Sequence, residues 1–221
     1  MPTHNVSKAN LVVAVDGPAA AGKGELTRRL ARHFNLARLD TGLLYRAVGW
    51  AVLQQGKDPA DEGVAVAAAK TLKAADLENP DLRSEAAGSA ASKVAAIPAV
   101  RTQLIDFQRN FAKNPPGGAA GAVLDGRDIG TVICPDATAK LFLTASAEIR
   151  AVRRLKELQA RGVEAIGSAV LRDMMERDAR DAQRSVAPLE PAKDAFVLDT
   201  SDMDADAVFA AAVDFVSRKV T

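Results

Sequence analysis

Apolar positions cluster into five short runs, at residues 11–15 (LVVAV), 36–39 (LARL), 122–124 (AVL), 140–143 (KLFL) and 195–198 (AFVL). Asp follows four of them closely, as Asp16, Asp40, Asp125 and Asp199. Short β-prone runs that end in polar turns, with helical stretches between them, predict strands of a parallel sheet in an α/β fold. Ligands of such sheets gather at the carboxyl ends of the strands. One Asp there is an ordinary turn residue; four together support the α/β assignment.

The spacing of the runs is uneven. A strand–helix–strand crossover needs only about a dozen connecting residues, yet residue 39 is far from residue 122. The pattern predicts a helix over 42–53, an Ala-rich tract over 64–75, a turn at Asn79-Pro80-Asp81, and helices over 86–96 and 100–112. Asn114-Pro115-Pro116-Gly117-Gly118 then breaks the pattern. A second, arginine-rich excursion over 146–191 predicts two helices parted near Arg161-Gly162 and Gly167. With no repeat and no dividing linker, the plan is one domain over 1–221. Its helical inserts, about 41–112 and about 148–184, lie over the carboxyl edge of the sheet.

Composition narrows the class. The chain has 221 residues, 48% hydrophobic and 26% charged, enough for one domain with a real core. Its 29 Lys and Arg against 28 Asp and Glu argue against a nucleic-acid coat or a polybasic membrane binder. The lone Cys134 forms no internal disulfide and no cysteine cage. The first ten residues lack the apolar run of a signal peptide, and no stretch approaches the roughly 20 apolar residues of a membrane span. A cytoplasmic monomer is expected, without nucleic-acid or membrane partners.

Residues 17–24, Gly17, Pro18, Ala19, Ala20, Ala21, Gly22, Lys23 and Gly24, follow the first strand and open a helix. Strand, glycine-rich loop and helix start in that order form a phosphate-binding loop, with Lys23 reaching the outer phosphates of a nucleotide. The bland alternative is a Gly/Pro turn bearing a solvated lysine. The strict pattern places a hydroxyl after GK. Gly24 stands there instead, and Glu25 occupies the next place. A carboxylate can hold magnesium directly or through water, but it also adds negative charge beside a polyphosphate.

Arg177, Arg180, Asp181 and Arg184 share one helical face, and Arg150, Arg153 and Arg154 share another. Either set alone reads as a solvated basic face. Beside a phosphate loop they suit a flap that neutralises a transferring phosphoryl group and keeps water out. Thr41, Tyr45 and Arg46 follow the second strand, where Thr41 is placed to cap a helix and Arg46 to reach an anion. Asp125, Arg127 and Asp128 (DGRDIG) follow the third. Asp125 is the candidate for a magnesium-linked carboxylate; a salt-bridged turn is the other reading of this segment. His4 and His33 are expected at the surface, and Cys134 at a strand-end turn.

Taken in order, VDGPAAAGKG, LDTGLLYR, ASKVAAIPAVR, LDGRDIGT and RDARDAQRSVAPL resemble the bacterial cytidylate kinases, nucleoside monophosphate kinases with the P-loop NTPase fold. The resemblance covers nearly the whole chain. It implies a five-stranded parallel sheet flanked by helices, and transfer of the γ-phosphoryl of ATP to CMP or dCMP with Mg2+. It also implies that residues 17–25 bind ATP, and that Thr41, Arg46, Arg127 and Arg184 surround the acceptor phosphate and the transferred group. Ser92, Arg101 and Asp128 would read the cytosine, and Arg177 with Asp181 the sugar. Tyr45 and Asp125 join the substrate site; Lys23, Arg127, Arg153 and Arg184 would carry the transfer. A carboxylate accepts from the N4 amino group of cytosine and repels the oxygen that uracil has there. Residues 70–92 lack β alternation and look like a reduced form of the family's acceptor-side insert. Adenylate-, uridylate- and shikimate-type kinases share parts of this pattern. A GTPase-like switch would need an N/T-K-x-D segment, which is absent. A non-catalytic nucleotide-binding module is the remaining reading.

Overall fold

The computed structural model describes residues 11–184 and 186–220; the reading of His4 and the leader lies outside them. Five strands, β1 (Leu11–Asp16), β2 (Leu36–Asp40), β3 (Gly121–Gly126), β4 (Ala139–Thr144) and β5 (Phe196–Asp199), pair in the order β2-β3-β1-β4-β5, each pairing parallel. Every expected apolar run is a strand. Alternate residues of a strand face opposite sides of a sheet, and β1 shows this directly. Val13 and Val15 pack with Leu26 and Leu30 of α1 (Lys23–Phe34) and with Ala212 and Val216 of α8 (Ala205–Val220). Val12 and Ala14 face Ala112 of α5 (Pro98–Lys113) and Ile129 and Ile133 of a π-helical turn, Ile129–Ile133. Both faces are thus covered, as parallel sheets require. The closing helix α8 is not among the expected elements.

Chain order decides where ligands go. The connection after β1 runs toward β2 on one side, whereas that after β3 passes to β4 on the other. A crevice forms at the carboxyl ends of strands where their connections diverge.

Two helical bodies flank that crevice. The first contains α2 (Thr41–Gln54), α3 (Glu62–Thr71), two 3-10 turns (Ala74–Glu78 and Pro80–Arg83), α4 (Glu85–Val94) and α5. It has its own core, in which Leu44, Val48 and Val52 meet Ala65, Ala91, Val94 and Val100. Helices α2 and α4 are close-packed because Gly49 lies against Ala90; a Cβ at Gly49 would stand 2.7 Å from the Ala90 Cβ. No strand forms between residues 70 and 92, so the insert is helical throughout. The second body is a flap of α6 (Ala147–Ala160) and α7 (Gly167–Ala182), joined by the small cluster of Ala151, Leu158, Val170 and Met174. Among the described residues no helix is long and apolar enough to cross a membrane.

Candidate active site

The loop after β1 is shaped by its glycines. Gly17 has φ 142°, and a Cβ there would lie 2.0 Å from the Leu143 carbonyl oxygen of the neighbouring strand, which leaves glycine alone fitting. Ala20 (φ 58°) and Gly22 (φ 94°) are also left-handed, the backbone alternation that turns successive amides inward around an anion. Gly22 caps α1 without any side-chain hydrogen bond, so the helix start keeps its free N–H groups for a ligand. Lys23 Nζ donates to the carbonyls of Gly17 and Pro18, each at 2.7 Å. Burial, and next the nearby Arg127, push its pKa down to about 7.

At the ends of β2 and β3, Asp40 and Asp125 stand directly opposite in register. Burial, followed by repulsion from Asp125, raises the pKa of Asp40 to about 6. Thr41 heads α2 but does not cap it; Asp40 holds that place, and the Thr41 hydroxyl donates to the Asp125 backbone oxygen at 2.7 Å. Asp16, the third strand-end carboxylate, accepts the N–H groups of Ile129 and Gly130, both at 2.8 Å. It anchors the π-turn that follows the Asp125–Asp128 segment. Asp199 does not reach the crevice: it is exposed on the edge strand and accepts from Ser201.

A cavity of about 600 Å³ opens from these strand ends and gathers nearly every expected site residue. Lys23, Gly24 and Glu25 line it from the loop. Thr41, Tyr45, Arg46, Ser92 and Arg101 line it from the insert, Asp125, Arg127 and Asp128 from the end of β3 and the turn after it, and Arg153, Arg177, Asp181 and Arg184 from the flap and the residues just after α7. Arg101 and Asp128 form a buried ion pair. Arg127 Nε donates to Asp181 at 2.9 Å, and Arg184 pairs with the other oxygen of the same carboxylate. Burial pulls the Asp181 pKa upward, but Arg127, Arg184 and Arg177 outweigh it and hold the carboxyl below its usual range. Burial and neighbouring guanidinium groups press the pKa of Arg177 down to about 9 and those of Arg46 and Arg184 downward too. The Nε atoms of Arg177 and Arg184 are buried without a hydrogen-bond partner among the described residues. Buried cations with spare donors are stable when an anion sits among them.

The remaining expected residues fall into distinct places. Arg153 is bonded to the Thr200 hydroxyl at 2.9 Å and to its carbonyl, tying the flap to the turn after β5. Arg150 lies at the base of the flap, donating to Ala19 of the loop at 3.4 Å and to Asp178 at 2.6 Å. Arg180 reaches the Ser92 hydroxyl at 3.3 Å from a second opening of about 910 Å³ between α4 and the flap. Arg46, Arg154 and Arg177 line both openings, so the crevice continues beneath the flap. Glu25 is half exposed and paired with Arg28. His33 is exposed and packs edge-on against Phe34 and Phe209. Cys134 is half-buried just after the π-turn, where burial pushes its thiol up to about 11.

Two residues at the site escape the motif reading. Thr27 and Arg38 sit behind Asp125, the hydroxyl donating to its carboxylate at 2.8 Å and the guanidinium at 3.2 Å. Among the described residues no group of three or more His, Cys, Asp or Glu side chains could hold a metal ion by itself. Asp40 and Asp125 beside a phosphate loop instead fit magnesium that arrives on the nucleotide, because that ion keeps several waters and takes one or two carboxylates plus phosphates.

The family model described as Cytidylate kinase matches residues 13–218. The chain belongs to the cytidylate kinase family. Curated proteins named cytidylate kinase are 61% identical in Paramagnetospirillum magneticum, over 94% of this chain and 98% of that protein, and 56% identical in Rhodospirillum rubrum, over 95% and 98%. A third family member, from Granulibacter bethesdensis, is 57% identical over 95% and 98%. Among solved structures, an uncharacterized protein from Eubacterium ventriosum superposes with a TM-score of 0.53 at 13% identity, covering 94% of this chain and 99% of its own. A sugar kinase from Janibacter sp. gives 0.50 at 14% identity, with 95% of each chain covered. Those two share the fold alone with this cytidylate kinase family member.

Proposed function

We propose that the chain is a cytidylate kinase that transfers the γ-phosphoryl of ATP to CMP or dCMP, giving the nucleoside diphosphate and ADP. The observation that carries this reading is the joining of one cavity by a phosphate loop, an arginine set with unpartnered buried donors, and the Arg101–Asp128 pair. Together they provide a polyphosphate cradle, a second anion site and a base-reading carboxylate.

The chemistry asked of the protein is modest. The acceptor phosphate has a second pKa near 6 and is mostly dianionic at neutral pH, so no general base is needed. Catalysis then rests on alignment and on neutralising the charge spread over the transferring group. Lys23 and the loop amides hold the donor phosphates, while Arg46, Arg127 and Arg184 hold the acceptor phosphate in line with them. Arg177 and Asp181 from the flap take the sugar side and shut out water as α6 and α7 settle. Asp128, steered by Arg101, accepts from the cytosine amino group, with Ser92 beside it. Magnesium carried on ATP supplies further charge neutralisation near Asp40 and Asp125. On this reading the enzyme serves pyrimidine nucleotide metabolism and works in the cytoplasm.

The test is ADP release from magnesium-ATP with CMP, dCMP, UMP, AMP, GMP or shikimate, with Lys23→Ala as the blank. Turnover with CMP and dCMP that vanishes in the blank supports the assignment. In Asp128→Asn the ratio of CMP to UMP turnover falls. If UMP or AMP leads in the unaltered enzyme, the cytosine reading is wrong.

A further inference from the structure

The parallel register sets Asp40 opposite Asp125, two carboxylates at the rim of the phosphate loop. Like charges facing across a ladder repel, and a cation must lie close for both to stay ionised. Arg38 stands two residues before Asp40 in β2, hence on the same face of the strand. Its Nη2 is 3.2 Å from Asp125 and 3.8 Å from Asp40. Its Nε donates to the Thr27 hydroxyl at 2.8 Å, and that hydroxyl in turn donates to the same Asp125 oxygen, Oδ2, at 2.8 Å. The result is a closed three-way arrangement of Arg38, Thr27 and Asp125. Both donors act on one oxygen. Asp125 lines the cavity, whereas Thr27 and Arg38 do not.

We infer that Arg38 and Thr27 are positioning residues, a clamp that fixes the Asp125 carboxylate from behind and presents it to the metal-bearing nucleotide. This rests on the kinase reading above. The hydroxyl that the strict pattern places after the loop lysine is absent in this chain; Gly24 stands there, and Glu25 next to it is engaged with Arg28. Asp125 lines the cavity beside the loop, and its orientation depends on the two groups behind it. A partner that orients a metal-linked ligand typically contributes about 10- to 100-fold in metal affinity or activity. A merely structural ion pair would alter stability and leave the magnesium dependence alone.

The experiment is equilibrium binding of ATP, with magnesium and with a chelator, to the unaltered protein and to Arg38→Leu, Arg38→Lys and Thr27→Val. Melting temperatures and CMP turnover are followed in parallel. Arg38→Leu is expected to lose about tenfold of its ATP affinity in magnesium and none in chelator. Thr27→Val, which removes only the hydroxyl, shifts the same way by less. Arg38→Lys recovers part of the loss. A magnesium dependence that neither Arg38→Leu nor Thr27→Val changes overturns the clamp, as does an equal loss with and without magnesium. Absence of CMP turnover in the unaltered protein would instead overturn the kinase assignment on which the clamp rests.

Discussion

Lys23 Nζ is held by two carbonyls of its own loop while burial and Arg127 lower its pKa to about 7. The folded pKa thus lies below the ordinary 10.5, so the unfolded chain binds more protons between those values and stability rises with pH through that window. A bound polyphosphate reverses the balance by favouring the ammonium form. ATP binding at pH 8 is therefore expected to take up a proton that binding at pH 6 does not, because at pH 6 the lysine is charged in both states. Calorimetry in buffers of different ionisation enthalpy reads this, and Lys23→Met should abolish the pH 8 excess. Glu25 gives a second prediction at this scale. It is half exposed, bonded to Arg28, and lines the donor side of the cavity. Glu25→Thr removes a charge from beside the phosphates and should tighten magnesium-ATP about two- to fivefold, in line with an exposed charge interaction of at most about 1 kcal/mol. Weaker binding in a titration of the variant would show that the carboxylate helps to hold the metal. Arg38 shows where motif reading stops at single residues. Nothing adjacent in sequence marks it, since its partners arise from the register of β2 on β3 and from a residue one turn into α1.

Among the elements, the strands were readable because parallel strands buried on both faces must be continuous apolar runs, and their carboxyl ends must turn polar. Runs such as LVVAV and KLFL leave no other face to bury. The π-turn was not readable. Its residues, IGTVI, are apolar and β-prone, and the group that bends them is Asp16, 113 positions away from Ile129. Helix α8 carried a legible signal in Val208, Ala212 and Val216, four residues apart on one face. The flap's arginines also divide by role only in three dimensions. Arg177 and Arg184 face the cavity, whereas Arg150, although on the shared face of α6, is buried as a strut among Ala19, Ala145 and Asp178. Arg150→Met should accordingly cost about 3 kcal/mol, the low end for breaking a buried charge pair, because Asp178 is a quarter exposed. It should also raise ATP hydrolysis without acceptor, because a looser flap admits water. A thermal melt and an ADP-release assay without CMP check the two parts. A stability loss without added hydrolysis would confine Arg150 to structure.

Across the whole molecule the site is assembled from bodies with separate cores, which makes the two substrates separable. The sheet and its loop supply the donor side; the insert, built on α2, α4 and α5, supplies Arg46, Ser92 and Arg101. Arg46 is held by the carbonyls of Leu82 and Ser84 and rests against Gly88, so its position depends on how closely α4 approaches α2. That approach is set by Gly49, whose added Cβ would meet the Ala90 Cβ at 2.7 Å and the Ala90 backbone carbon at 2.9 Å. Backbone cannot yield as a flexible side chain can, so Gly49→Val forces the two helices apart, at an overpacking cost of about 1–3 kcal/mol. The displacement moves Arg46 and Ser92 together while leaving residues 17–24 on their own strand and helix. CMP affinity should then fall about tenfold or more, which matches a misplaced bidentate anion contact, while ATP affinity stays within about twofold. Titration calorimetry with each nucleotide alone decides it. Parallel losses for both would mean that insert and loop move as one body and that the donor site is built across the same contact.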